Sequence, residues 1–182
     1  MAAFFIKHKN MANCVLTSGI PLACLSSTGG VKNVYIGAFS DATTFTYDAS
    51  DIIDTVTSSE TFYTFKFRPQ TAGFTEEMTK SIEAGTTFWT ETLTMIFHKM
   101  DAAKRNSILL LASTSMHVIV QTQNNEYWML GLANGAEVST ATTSAGTAYG
   151  DLNGYNLTIL GLEPVSAHLL SDTAFASLTV AV

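Results

Sequence analysis

The side chains of this 182-residue chain that could carry chemistry are few and dispersed. His8, His98, His117 and His168 show no HxH or HxxxH spacing that would set two imidazoles on one metal, so each is expected to be structural. Asp41, Asp48, Asp51 and Asp54 crowd the segment DATTFTYDASDIID, but the alternating ligand register, the glycine and the distal glutamate of a calcium loop are missing. Glu76 and Glu77 are adjacent; on a strand they point to opposite faces and cannot act as a paired acid and base. Neither a GxSxG nucleophile elbow nor a GxxxxGK[ST] phosphate cradle occurs. Lys104 and Arg105 read as solvated or intersubunit charges. The sequon at Asn156 falls inside a strand pattern and carries no expectation of glycosylation. Cys14 and Cys24 are too far apart for a zinc knuckle or a redox pair, and free thiols are expected. No catalytic residue, metal ligand or cofactor follows from these residues.

Composition narrows the function classes further. Charged residues make up 13% of the chain against 47% hydrophobic ones, about half the usual charged share, and such a surface is usually covered by partners. The net charge of −6 lacks the basic footprint of a protein that grips phosphate backbones, so tight nucleic-acid binding is not expected. The apolar runs Ile108 to Ala112 and Ala2 to Ile6 are too short for a bilayer span or a leader core, so no membrane partner is expected and the product reads as soluble and made inside a cell.

The elements that must position the side chains are mostly strands, as abundant Thr and Ser in place of Lys and Glu imply. Residues 1–28 show no period and read as an extended arm, apolar enough to pack on this subunit or a neighbour; residues 29–182 read as one domain. VKNVYIGAF alternates as a strand. From Thr61, Tyr63, Phe65 and Phe67 share a face opposite Thr64, Lys66 and Arg68. Residues 73–97 form a long hairpin turning at Ala84-Gly85. Its polar face carries Thr75, Glu77, Thr79, Ser81 and Glu83 with Thr90, Thr92 and Thr94, and its other face carries Trp89, Leu93, Met95 and Phe97. One helix starts after the N-cap Asp101, with Leu109 and Ala112 below Ala102 and Arg105. Tyr127 and Trp128 fall on opposite faces of a strand and cannot jointly line a pocket. Asn134-Gly135 turns the chain, residues 139–153 form a projecting loop, YNLTILGLEP is a strand, and Ser177 to Val182 adds an edge strand.

The order of GGVKNVYIGAF, the hairpin FTEEMTKSIEAGTTFWTETLTMIF, one helix, EYWMLGLANG and NGYNLTILGLEP resembles the tail-tube-like structural proteins of tailed bacteriophages, in particular those of Bacteroidetes-type hosts. The likeness covers roughly residues 29–165 and rests on glycines, aromatics and turns. It implies a mainly β fold with one flanking helix, a β-sandwich or half-barrel whose long hairpin joins those of its neighbours in a ring with a continuous β-barrel lumen. It further implies a virion protein made in the host cytoplasm, assembling as stacked rings, hexameric in the tail-tube case, beside other tail or neck proteins. DNA would then pass without specific binding. The polar hairpin face, Thr75 to Glu83 with Thr90, Thr92 and Thr94, is then expected to line the channel. Two alternatives stand beside the major tail tube protein: a neck or tail ring of a short-tailed phage, and a carbohydrate- or host-binding β-domain of a tail fibre, in which Trp89, Trp128 and Tyr149 would stack on sugars.

Overall fold

Alternating apolar and hydroxyl-bearing residues hold most of this chain extended, and in a computed structural model strands take 51% of it and helices 9%, so the fold is mainly β. The structure describes residues 19, 20, 22 and 25–181; the expected arm therefore lies largely outside the described residues, and both cysteines with it. The strands are β1 (Val31–Ala38), β2 (Thr44–Tyr47), β3 (Ile53–Thr57), β4 (Thr61–Lys66), β5 (Ala72–Ser81), β6 (Thr86–His98), β7 (Met116–Thr122), β8 (Tyr127–Leu130), β9 (Ala136–Ser144), β10 (Gly154–Glu163), β11 (His168–Leu170) and β12 (Thr179–Ala181). Helix α1 (Ala102–Leu111) follows β6, and a short α2 (Asp172–Ala176) precedes β12.

Twelve strands form one mixed sheet in the order β2-β3-β11-β8-β7-β9-β10-β6-β5, with β1 pairing β7 and β4, and β12 flanking β4. The pairs β11–β3 and β12–β4 are parallel, while the rest are antiparallel. The sheet branches at β7. Leu130, the last residue of β8, pairs with Val118, and Ala136, the first of β9, pairs with Met116 on the same strand. Asn134-Gly135 therefore does not reverse the chain as its sequence led one to expect. Residues 131–135 are an excursion between two strands that run in the same direction beside β7, after which β9 diverges to pair with β10.

Two core clusters use opposite faces of β7. Val118 and Val120 join Val34, Ile36, Leu93, Met95, Leu157 and Ile159 in one, while Ile119 joins Tyr35, Ile53, Phe62, Met129 and Leu170 in the other. Adjacent residues of a strand point to opposite faces, so a continuous apolar run such as HVIV must be covered on both sides. Tyr127 and Trp128 divide as expected: the Tyr127 ring stacks on Phe175 of α2 at 4.1 Å, and Trp128 packs on the cluster that contains Leu93.

Several sequence expectations need correction. A second helix exists where one was expected: Ser171 caps α2 by accepting from the Ala174 amide, and five residues were too few to show a helical period. The segment from Asp41 to Asp54, to which the sequence assigned no element, holds β2, a turn and the start of β3, and in it Asp48 Oδ1 accepts from the amides of Ser50 and Ile52. In β4 the deeply buried ring is Phe62, while Tyr63 is 56% exposed, because β4 has partners on both edges and its Phe62 side fills the α2 cluster. In α1, Ile108 and Leu111 pack inward, whereas Leu109 and Leu110 are exposed. Asp101 does cap α1, accepting from the Lys104 amide at 2.8 Å.

Candidate functional site

The strands β5, β6, β10 and β9 form an antiparallel run whose register separates two chemically distinct faces. Thr75 pairs with Thr92 and Glu77 with Thr90 across β5 and β6, Gly73 faces Thr94, and Thr94 continues to Thr158 and Thr140 across β10 and β9. Directly paired residues project to the same side. The expected polar row is therefore one surface: Thr75, Glu77, Thr79 and Thr94 are exposed, and Ser81, Thr90 and Thr92 are half-buried. Glu83 is an exception. Strand β5 ends at Ser81, and Glu83 sits in the turn of residues 82–85, so no strand face fixes its direction. Phe88 interrupts the row opposite Thr79, which alternation alone placed on the polar side. The reverse face carries Leu93, Met95, Leu157 and Ile159 into the core, with Phe74, Phe97 and Val138 packed against them.

The run is open at both ends. Among the described residues, strand β5 terminates the sheet order and has no partner beyond β6. Among the described residues, the outer edge of β9 is paired only at Ala136, with Met116 of β7, and residues 139–144 are all exposed. Composition had marked those residues as loop, because Ser-Thr-Ala-Thr-Thr-Ser lacks any apolar alternation; they are strand because β10 pairs with them.

On the buried side the sequence concealed a row of carboxylates. Glu91 shares the face of Trp89, Leu93 and Met95, pairs with Glu76 on β5 and with Gly161 on β10, and is 1% exposed. Glu163, paired with Trp89, is equally buried. Each carboxylate accepts backbone amides from a connecting segment. The Gly131 amide donates to Glu91 Oε2 at 3.0 Å, the Ala133 and Asn134 amides to Glu163 at 3.2 and 2.9 Å, and the Ala167 amide to Glu76 at 2.7 Å. Room for Glu91 depends on Gly161, since a Cβ there would stand 2.9 Å from Glu91 Oε2. Glu91 was readable as the one charged residue at an odd position between Trp89 and Phe97, but the grouping of apolar neighbours passed over it.

Burial pushes the Glu91 carboxyl up to about 8, with Glu163 and Glu76 adding repulsion and the Gly131 amide opposing. Burial likewise raises Glu163 against the pull of the Asn134 and Ala133 amides. At the next peptide along, Gly131 O accepts from His117 Nδ1 at 2.8 Å, which assigns the Nδ1–H tautomer. Burial holds the His117 imidazole below its ordinary value, against the Gly131 and Ser40 carbonyls and Glu60. A neutral carboxyl and a neutral imidazole thus bracket one residue, Gly131, in the interior. Among the described residues, no group of three His, Cys, Asp or Glu side chains is placed to hold a metal.

The aromatic side chains considered for sugar stacking do not share a surface. Trp89 lies where β10 ends and Tyr149 in the loop before β10 begins, separated by roughly 30 Å of strand, and Trp128 packs on the core. No family model, no curated protein and no solved structure matches this chain.

Proposed function

We propose that this protein is a non-enzymatic virion structural subunit that assembles with copies of itself into a ring, most economically the repeating ring of a phage tail tube, through the two free edges of the β5-β6-β10-β9 run. The observation that carries the reading is that this one run combines two edges unpaired among the described residues with one core-facing side and one threonine-rich side. An unpaired strand edge presents a row of amides and carbonyls that templates further pairing, and closing a sheet on itself is the arrangement that removes edges altogether. With β9 of one subunit against β5 of the next, the buried faces stay on the outside under their own core and the Thr75, Glu77, Thr92, Thr94 and Thr158 surface turns inward. Six subunits would exceed the roughly sixteen strands with which a porin already encloses water. Such a lumen, rich in hydroxyls with Phe88, Leu160 and Leu162 among them and weakly acidic, lets a polyanion pass without adhering.

Sizing chromatography with light scattering, followed by electron microscopy of negatively stained particles, tests this. Rings or tubes with a central channel are expected. A protein that stays monomeric at tens of micromolar and gives neither rings nor tubes, with or without the rest of the virion proteins, overturns it.

A further inference from the structure

Gly131 occupies the point where the sheet branches, and its backbone amide and carbonyl are held by side chains of different strands. Glu91 of β6 takes its amide and His117 of β7 takes its carbonyl. No side chain fits there: the backbone has φ +68, and a Cβ would stand 2.6 Å from Ala136 N and 2.8 Å from Met116 O. We propose that the Glu91–Gly131–His117 bridge is a proton-gated joint between the β5-β6 hairpin and the branch point, closed while Glu91 carries its proton and opened when that proton is lost.

The geometry supplies the reason. Around Glu91, β5 presents Glu76 and β10 presents Glu163, both acidic, and beyond them Tyr47 of β2 stands close enough to feel the Glu163 charge. Beneath, β7 presents His117, itself held neutral, with Glu60 acting on it from the β3–β4 connection. Among the described residues, no cation is among the groups acting on Glu91. A charged Glu91 would sit in the interior with a single amide donor and two like charges, whereas a protonated one leaves the peptide bond network intact. Loss of the proton is therefore relieved by withdrawing the carboxylate to water, which frees the Gly131 amide and, with it, the segment of residues 131–135 that Glu163 also holds.

Amide hydrogen exchange followed from pH 5 to 9 reads the gate directly. Base catalysis alone raises exchange tenfold per pH unit; a site whose opening requires loss of one proton gains a further tenfold per unit below the gating pH. Gly131 is expected to climb about a hundredfold per unit up to about pH 8 and tenfold per unit above it. Ile119 and Val120 in β7 should exchange more slowly throughout, which marks the opening as local. Glu91→Gln, whose amide oxygen still accepts from Gly131 but cannot ionise, should show the tenfold slope at every pH. Glu76→Gln should move the break to lower pH by removing the charge opposite. A tenfold slope in the natural protein, an unchanged hundredfold slope in Glu91→Gln, or exchange of Gly131 together with Ile119 overturns the joint. If Glu91→Gln does not fold, a break unmoved by Glu76→Gln overturns it equally.

Discussion

Gly131 and the two groups that hold it set the energetics at the residue scale. Gly131→Ala would force a left-handed backbone on a Cβ that meets Ala136 N at 2.6 Å, and a loss of about 2 kcal/mol or more is expected, read as a fall in the denaturant midpoint with an unchanged slope. The pH dependence of global stability follows from two opposite shifts. Glu91 is raised from 4.5 to about 8, so its contribution is fully present below 4.5 and is lost as pH climbs towards 8. His117 is lowered from 6.5, so its contribution is present above 6.5 and lost as pH falls below that value. The slopes oppose one another on the acid side; above 6.5 the loss from Glu91 continues towards 8, and Glu163, raised in the same direction, acts with the same sign. Stability measured by urea titration should decline from pH 6.5 to 8, and in Glu91→Gln the decline should be shallower and stability higher by about 1–3 kcal/mol at pH 7. Neither glutamate nor histidine was legible as a pair in the sequence, because 26 positions separate residues that meet only through a third residue's backbone.

At the element scale, what could be read from the chain was whatever its own alternation declared. The β5–β6 hairpin, its turn region and its polar row were legible because Thr75, Glu77, Thr90 and Thr92 hold a two-residue period over many positions. Strands β2, β3 and β9 were not, since four or five residues, or a run of small hydroxyl side chains, present no period to detect. Asn134-Gly135 misled for a related reason: positive φ at Gly135 is required, but the same backbone freedom serves an excursion as well as a reversal. The exposed row yields its own test. Glu77 is exposed and paired with Thr90, so Glu77→Lys should leave stability within about 0.5 kcal/mol. If the row lines a channel, assembled Glu77→Lys particles should retain DNA with an affinity that falls steeply with salt, as a filter-binding titration measures. Assembly lost through this substitution would instead place Glu77 in an interface.

At the scale of the whole molecule, faces were readable and edges were not, because alternation reports which side of a strand is wet but not which strand lies beside it. The unpaired edges of β5 and β9 emerged only once β9 was seen to leave β7 after the Met116–Ala136 pair. They are open to a direct measurement. With Cys14 and Cys24 replaced by serine, single cysteines introduced along Thr75–Thr79 and, in the same chain, along Thr140–Ser144 should form disulfides between subunits in at least one register, seen as a ladder on non-reducing gels. A single cysteine at the exposed Thr94, on the inner strand β6 and away from either edge, should form none.

The number of strands between those edges has a consequence of its own. Strands β5, β6, β10 and β9 alternate in direction, and because four is even, the first and last run opposite ways. Any number of identical subunits can then be added edge to edge, each seam antiparallel like the pairs within a subunit. Three or five strands would make every seam parallel. Strand polarity therefore imposes no copy number on this chain. The symmetry of a closed assembly is left to the twist and tilt of the sheet, and substitutions that alter curvature, far from either edge, are the ones that should change how many subunits a ring contains.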